Sequence, residues 1–264
     1  MHLIANRSQQ ATWPAEAAGI GSRLLVVSEL LCESVDLRAG ERVLDVACGS
    51  GSTALAAARR CCQVVAVDDD PVQLQRARTR ADAEGLEVTF LGADAGAFPD
   101  GSFDVVLSAG GGNLAPDQER TAAELLRVCR PGGRIGMVCW TPDGYVGKLF
   151  GAIGRYRPAL AAQEASGRRG IAERLRELLG PRATITAPRC SFLWRFPSVE
   201  DQVEFLGAFH RPTVEALRAL GPRDAGALEA EMVELARRFG VSEDGTLVLR
   251  MDYLEVVAHK PAWR

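Results

Sequence analysis

An α/β architecture on a mostly parallel sheet follows from how this chain spaces its apolar residues and glycines. Short apolar runs alternate with helix-like stretches of about a dozen residues through the first half. The first run ends in an acid, Asp45, and the glycine-rich turn Gly49-Ser50-Gly51 follows at once. A second acid, Asp68, ends the next run. Strands joined by helical crossovers pair in parallel, and such open sheets bind ligands at the carboxyl ends of their strands.

The elements read in order as follows. Leu24, Leu25, Val27, Leu30, Leu31 and Val35 recur at helical spacing over 22–37. Strands are expected at 42–46, 63–67, 87–91, 103–108 and 134–140, with helices at 52–60, 71–84 and 117–129 between them. Pro99-Asp100-Gly101-Ser102 and Pro131-Gly132-Gly133 read as turns. Past Trp140 the rhythm changes. Residues 144–161 and 164–179 read as helices and 183–195 as a strand. Residues 198–209 and 213–239 read as helical, with a break near Gly221-Pro222. A last strand runs over 246–258, and 162–170 is the loosest segment. The loops after Val46, Val67, Leu91, Ser108 and Trp140 should share the carboxyl edge.

Composition sets the outer limits. The chain has 264 residues, is 47% hydrophobic and 25% charged, and carries a net charge of −3. That is ordinary for a globular protein and gives no electrostatic case for nucleic acid or an anionic membrane. Seven cysteines are scattered without a C-x-x-C pair, so neither a zinc site nor a disulfide frame is expected. No apolar run reaches membrane-spanning length and no signal peptide is visible, so the expectation is a cytoplasmic protein. No carboxylate–histidine cluster suggests a metal.

The glycine turn marks a nucleotide-type cofactor site. Glycines remove the Cβ atoms that would keep backbone amides away from a ligand. Residues 49–54 fit G-x-G-x-x-A, which also suits a dinucleotide. Charge separates the two readings. A dinucleotide sets a pyrophosphate on the helix N-terminus, where the Asp45 carboxylate would repel it. S-adenosylmethionine (SAM) has no phosphate and carries a sulfonium and an ammonium, which an acid favours.

The ordered set VLDVACGSG (43–51), VAVDDD (65–70), GADA (92–95), FDVVLS (103–108) and RPGGR (130–134) resembles a class I SAM-dependent methyltransferase. The segments 140–144 and 253–257 resemble the UbiE-like, small-molecule type. The resemblance implies a Rossmann-like, seven-stranded, mostly parallel sheet with helices on both faces and helical lid insertions. It also implies one methyltransferase domain over 1–264. Its SAM-binding core would be 38–140, its substrate-capping insertions 141–182 and 198–244, and its late strands 183–197 and 245–260.

By that resemblance the backbone from Ala47 through Gly49 to Gly51 wraps the methionine part of SAM, with Asp45 near the ammonium. Asp68 accepts the ribose hydroxyls, Asp94 the adenine amino group, and the Ala95 N–H meets a ring nitrogen. Ser108, Ala109 and Gly110 pass beside the methyl group. Ala47 stands where many relatives have glycine, a change tolerated if that backbone is not left-handed. Asp69 replaces an apolar residue that packs on adenine, so stacking there is expected to be weaker. Asp68 and Asp94 each also admit a plainer reading, as a helix cap and a turn residue.

Methyl transfer needs alignment and exclusion of water, and a base only if the nucleophile holds its proton. His210 and Tyr145 are the candidates for that base. Trp13, Asn113, Trp140, Phe150 and Phe209 are the candidates for a substrate pocket. The expected activity is methylation of a small organic molecule in natural-product metabolism, with O favoured over N or C, by a monomer or homodimer. The alternatives are a SAM-binding cyclase or decarboxylase and, further off, a nicotinamide-dependent oxidoreductase.

Overall fold

Each short apolar run of the first half becomes a strand. The computed structural model describes residues 20–109, 117–156 and 171–262. Its strands are β1 (Arg42–Val46), β2 (Gln63–Val67), β3 (Val88–Leu91), β4 (Phe103–Ser108), β5 (Cys129–Trp140), β6 (Thr184–Thr186), β7 (Arg189–Phe196) and β8 (Leu247–His259). The sheet order is β3-β2-β1-β4-β5-β8-β6, and β7 pairs with β8 off that path. The pairs β1–β2, β1–β4, β2–β3 and β4–β5 are parallel, while β6 runs antiparallel to β8. Strand order reverses at β1, between β2 and β4, and ligands bind at such switch points.

The helices of eight or more residues are α1 (Leu25–Ser34), α2 (Ser52–Arg59), α3 (Pro71–Glu84), α4 (Gln118–Val128), α5 (Tyr145–Tyr156), α6 (Ile171–Leu179), α7 (Val199–Phe209), α8 (Arg211–Ala219) and α9 (Pro222–Phe239). Local chemistry sets several of their ends. The Asp70 carboxylate accepts from the Val72 and Gln73 amides, Pro71 opens α3, and Gly85 closes it in the left-handed region. Asp117 and Ser198 cap α4 and α7 in the same way.

The described residues form two compact units. The first holds 21–109, 117–139, 171–189 and 254–262. Helices cover both faces of its sheet, because neighbouring residues on a strand point oppositely. Leu44, Val106 and Ile135 pack with Leu125 and Leu126 of α4 and Leu175 and Leu179 of α6. Gly136, one residue on, faces Val35 and Leu31 beside Leu107. The second unit holds Ile20, 140–156 and 190–253. Its core is Tyr145, Leu149 and Ile153 of α5 with Trp194, Phe196, Phe205, Leu206, Met232, Leu249 and Met251.

The sheet has eight strands where the sequence suggests seven. The expected strand over 183–195 divides at Ala187-Pro188 into β6 and β7. Proline has no N–H for a ladder, and the Pro188 carbonyl instead accepts from Glu255 N at 3.0 Å. The expected turn at 131–133 lies inside β5. Phe103 faces Cys129 while Val105 faces Arg134, so the intervening residues bulge out, with Gly132 at φ 73°. Of the helices expected at 144–161 and 164–179, α5 and α6 are the described parts, and the segment 162–170 lies outside the described residues. Among the described residues no helix is long and apolar enough to cross a membrane.

Gly136 tests the packing of α1. A Cβ there would lie 2.5 Å from Val35 Cγ1 and 3.0 Å from Leu107 Cδ2. Gly136→Ala is expected to cost about 1–3 kcal/mol and to lower the thermal unfolding midpoint by several degrees. An unchanged midpoint would show that α1 yields without cost.

Candidate active site

Immediately past β1 the chain must turn back to enter α2, and it does so through left-handed backbone. Ala47, Gly49 and Gly51 have φ of 55°, 53° and 82°. Three amides of the turn have fixed acceptors. Cys48 N donates to Val67 O at 3.0 Å, Gly49 N to Asp68 Oδ2 at 2.8 Å, and Gly51 N to Cys48 O at 2.9 Å. Gly51 is doubly required, since a Cβ there would also lie 2.9 Å from Ala77 Cβ. A Cβ on Gly49 would meet nothing within 4 Å, so the loop presents bare backbone on that side.

Ala47 corrects an expectation. Its backbone is left-handed, so the alanine is strained at a position that suits glycine.

Asp45 is 1% exposed at the end of β1. Its Oδ2 has no hydrogen-bond partner among the described residues. Burial, first, and the nearby Asp68 carboxylate push its pKa from an ordinary 3.8 up to about 8, against the opposing pull of the Ala54 amide. A buried carboxyl with an unmatched oxygen favours a cationic partner.

Asp68 accepts from two loop amides, Gly49 N at Oδ2 and Asp70 N at Oδ1, the latter at 2.9 Å. The helix cap that the sequence allowed to Asp68 belongs to Asp70. Asp69 is exposed between them. Asp94 caps the single turn Ala95–Ala97, its Oδ1 accepting from Gly96 N at 2.8 Å. The turn-forming reading of Asp94 is thus realised, and its other oxygen has no hydrogen bond among the described residues. Ala95 is buried, Ser108 is 2% exposed at the end of β4, and Ala109 follows half-buried. Gly110, like Trp13 and Asn113, lies outside the described residues.

The structure therefore gathers Asp45, Ala47, Gly49, Gly51, Asp68, Asp69, Asp94, Ala95, Ser108 and Ala109 in the first unit, all at carboxyl ends of its parallel strands. The described residues proposed for base and substrate roles, Tyr145, His210, Trp140, Phe150 and Phe209, fall in the second unit. There Tyr145 needs correction as a candidate base. It is fully buried, its hydroxyl accepts from Gln202 Nε2 at 2.6 Å, and burial drives its pKa up. Such a phenol neither meets substrate nor ionises readily.

His210 sits at the corner between α7 and α8, with Nδ1 2.7 Å from Thr213 Oγ1 and its ring 5.5 Å from that of Phe150. Burial pushes its pKa down to about 4, so the imidazole is neutral near pH 7. The Phe209 ring lies tilted 5.1 Å from that of Phe205, and half-buried Trp140 lies 6.4 Å from Phe192. Phe150, Phe209 and Trp140 all keep partial exposure.

Sequence reasoning missed Arg80 and Phe192. Arg80 grips the glycine loop at Ser50, and nothing in its place on α3 signals a partner 30 residues earlier. Phe192 is visible only as one of several alternating aromatics in β7.

Known proteins carry the same organisation. A family model described as a methyltransferase domain matches residues 44–137. An uncharacterised protein of Mycobacterium tuberculosis is 37% identical over 238 residues, covering 88% of this chain and 85% of its own. The demethylmenaquinone methyltransferase of Thermus thermophilus is 45% identical over 116 residues, or 41% of this chain and 53% of that one. A crystal structure of a candidate methyltransferase from Bacillus halodurans shares the fold. Its TM-score is 0.60 at 23% identity, over 89% of this chain and 98% of its own. Fold and loop together define a Rossmann-like protein built around a nucleotide-type cofactor. The chain belongs to the class I SAM-dependent methyltransferases, and SAM is its cofactor.

Two outcomes are expected. Ala47→Gly releases left-handed strain of about 1 kcal/mol, partly offset by the greater freedom of glycine when unfolded, so the unfolding midpoint should hold or rise slightly. A clear fall would show that the methyl group has packing value. Asp45 makes stability depend on pH. Below its ordinary value of 3.8 the carboxyl is protonated folded or unfolded; between there and about 8 only the folded chain keeps the proton. Stability from this group is therefore full at low pH and is lost as pH rises through about 8. The Asp45→Asn variant should show a flatter unfolding midpoint across that window, and parallel curves would remove the assignment.

Proposed function

We propose that this enzyme methylates a small organic molecule, with SAM held by the carboxyl-edge loops of β1 to β4. The observation that carries the reading is the unmatched Oδ2 of buried Asp45 beside a left-handed glycine turn. That pairing fits SAM, whose ammonium and sulfonium favour a carboxylate and which has no phosphate to be repelled. When bound, SAM supplies an activated methyl group on a sulfonium.

The chain's own residues have separate tasks in this reading. Asp45 balances the cofactor's positive charge from beneath the loop. The bare backbone at Gly49 admits close approach of the methionine end. Asp68 offers its remaining lone pairs to the ribose hydroxyls while its amide contacts hold the loop. Asp94 and the Ala95 amide take the adenine edge. The exposed carboxylate of Asp69 stands where an apolar residue would stack, so adenine is held more by hydrogen bonds than by packing. Ser108 and Ala109 line the methyl end.

For the acceptor, an oxygen is favoured, in natural-product metabolism. His210 is the residue assigned to the acceptor's proton. Its Nδ1 is fixed by Thr213, and a neutral ring can accept a hydrogen bond at Nε2. With a pKa near 4 it orients a hydroxyl rather than storing its proton. Trp140, Phe150 and Phe209 are assigned to an apolar substrate surface, which is the usual lining of small-molecule sites.

Titration calorimetry with SAM tests the cofactor assignments. The parent protein should bind, and Asp68→Ala should bind at least tenfold more weakly, because both the ribose contacts and the Gly49 amide lose their acceptor. Equal affinity would release Asp68 from its assigned role. Incubation with SAM and small hydroxylated compounds, read by mass spectrometry for products heavier by one methylene, then tests the acceptor.

A further inference from the structure

Arg80 lies on α3, and its guanidinium turns to the glycine loop. Nη1 donates to the Ser50 carbonyl at 2.6 Å and lies 3.2 Å from Ser50 Oγ and 3.1 Å from Ser52 Oγ. The acid one turn further along α3 does not hold it. Both Glu84 oxygens are taken by Arg59, at 2.7 Å each. Arg80 is half-buried, and burial lowers its pKa. A partly desolvated guanidinium whose close contacts are a carbonyl and two hydroxyls is costly, so its position calls for an explanation in what it holds.

What it holds is the middle of the turn. Ser50 stands between Gly49 and Gly51, both in left-handed backbone. The amides of Cys48, Gly49 and Gly51 are fixed by Val67, Asp68 and Cys48, while the Ser50 carbonyl is fixed by Arg80. On the other side Ser52 Oγ donates to the Gly21 carbonyl at 2.8 Å, and a Cβ on Gly21 would sit 2.2 Å from Ser50 Oγ. The Ser50 carbonyl belongs to the Ser50–Gly51 peptide; among the described residues Arg80 is the one side chain that holds it, and the flanking glycines offer little resistance to rotation.

We propose that Arg80 is a positioning residue for the cofactor: it orients the Ser50 peptide and so keeps the 47–51 loop in the shape that receives SAM. This rests on the reading of that loop as the SAM site. Arg80 acts on the loop rather than on cofactor charge, so its loss weakens SAM and its neutral product S-adenosylhomocysteine alike.

The test is calorimetry of both compounds with the parent, Arg80→Met and Arg80→Lys, together with each protein's unfolding midpoint. The methionine keeps the apolar stem and removes the donors. It should weaken both compounds by about tenfold, the scale of one charge-assisted hydrogen bond, at unchanged stoichiometry. Lysine restores one contact of three and should fall between. A merely structural arginine would lower the midpoint or the binding stoichiometry and leave both dissociation constants as in the parent; that result overturns the proposal. A loss confined to SAM also overturns it, since that pattern belongs to charge. If Arg80→Met does not fold, Arg80→Lys decides alone, and parental affinity in it counts against positioning. A parent that binds neither compound would instead remove the loop reading on which this one stands.

Discussion

Burial of a single carboxylate constrains the cofactor half of this protein. Asp45 ends the central strand of the parallel sheet at 1% exposure, with one oxygen unmatched. A buried acid of this kind destabilises the fold whenever it ionises, so the protein needs either a proton or a cation there. The surrounding loop is shaped by the same constraint. It must leave the strand at once, bend through three left-handed residues, and still give the amides of Cys48, Gly49 and Gly51 acceptors. Such a loop stores strain at Ala47 and presents bare backbone at Gly49, and strain held in place by its surroundings is typical of binding sites.

The second unit solves a different problem, which is to bury aromatic surface around a few polar groups, of which Trp194 Nε1 and Gln202 Oε1 have no hydrogen-bond partner among the described residues. Tyr145 pairs with Gln202 deep in that core, and Phe205 links Trp194 to Phe209. Trp140, Phe150, Phe192 and Phe209 are among the rings of this unit that retain exposure. Rigid backing of half-exposed rings is a favourable setting for an apolar ligand, because little side-chain freedom remains to be lost on binding. His210 shares that setting. Its Thr213 contact and Phe150 neighbour fix the ring while burial keeps it neutral.

Much of the first unit was legible in the sequence because its signals are local. Asp45 and the glycines lie within seven residues, and the strand–turn–helix order follows from them directly. The acids at 68–70 were legible as a group, but which one caps α3 depends on where the helix starts, and Pro71 places that duty on Asp70. The left-handed backbone at Ala47 was hidden, since alanine gives no sign of positive φ. Pro188 was in plain view, yet its effect on the strand over 183–195 depends on a carbonyl contact to Glu255 that is distant in sequence. Tyr145 read as a candidate base because it follows the fifth strand. Its burial depends on Gln202 and Phe239, which no spacing rule connects to it. Arg80 was hidden for the same reason, as one arginine among several on α3.

The two carboxylates of the first unit also depend on each other. Asp68 raises the cost of ionising Asp45, while its own oxygens are spread over the Gly49 and Asp70 amides. Asp68 has two backbone donors, whereas the more deeply buried Asp45 has the single Ala54 amide, and its pKa is pushed up. The consequence is a division of labour by environment. Asp68 is held in place by the loop and in turn holds it, and its spare lone pairs suit neutral hydroxyls. Asp45 is left short of positive charge, a shortfall that the cation of SAM makes up in the proposed site. A neutral ligand of the same shape would not, so in the proposed site the selection of a positively charged cofactor follows from how unequally the fold treats its two acids.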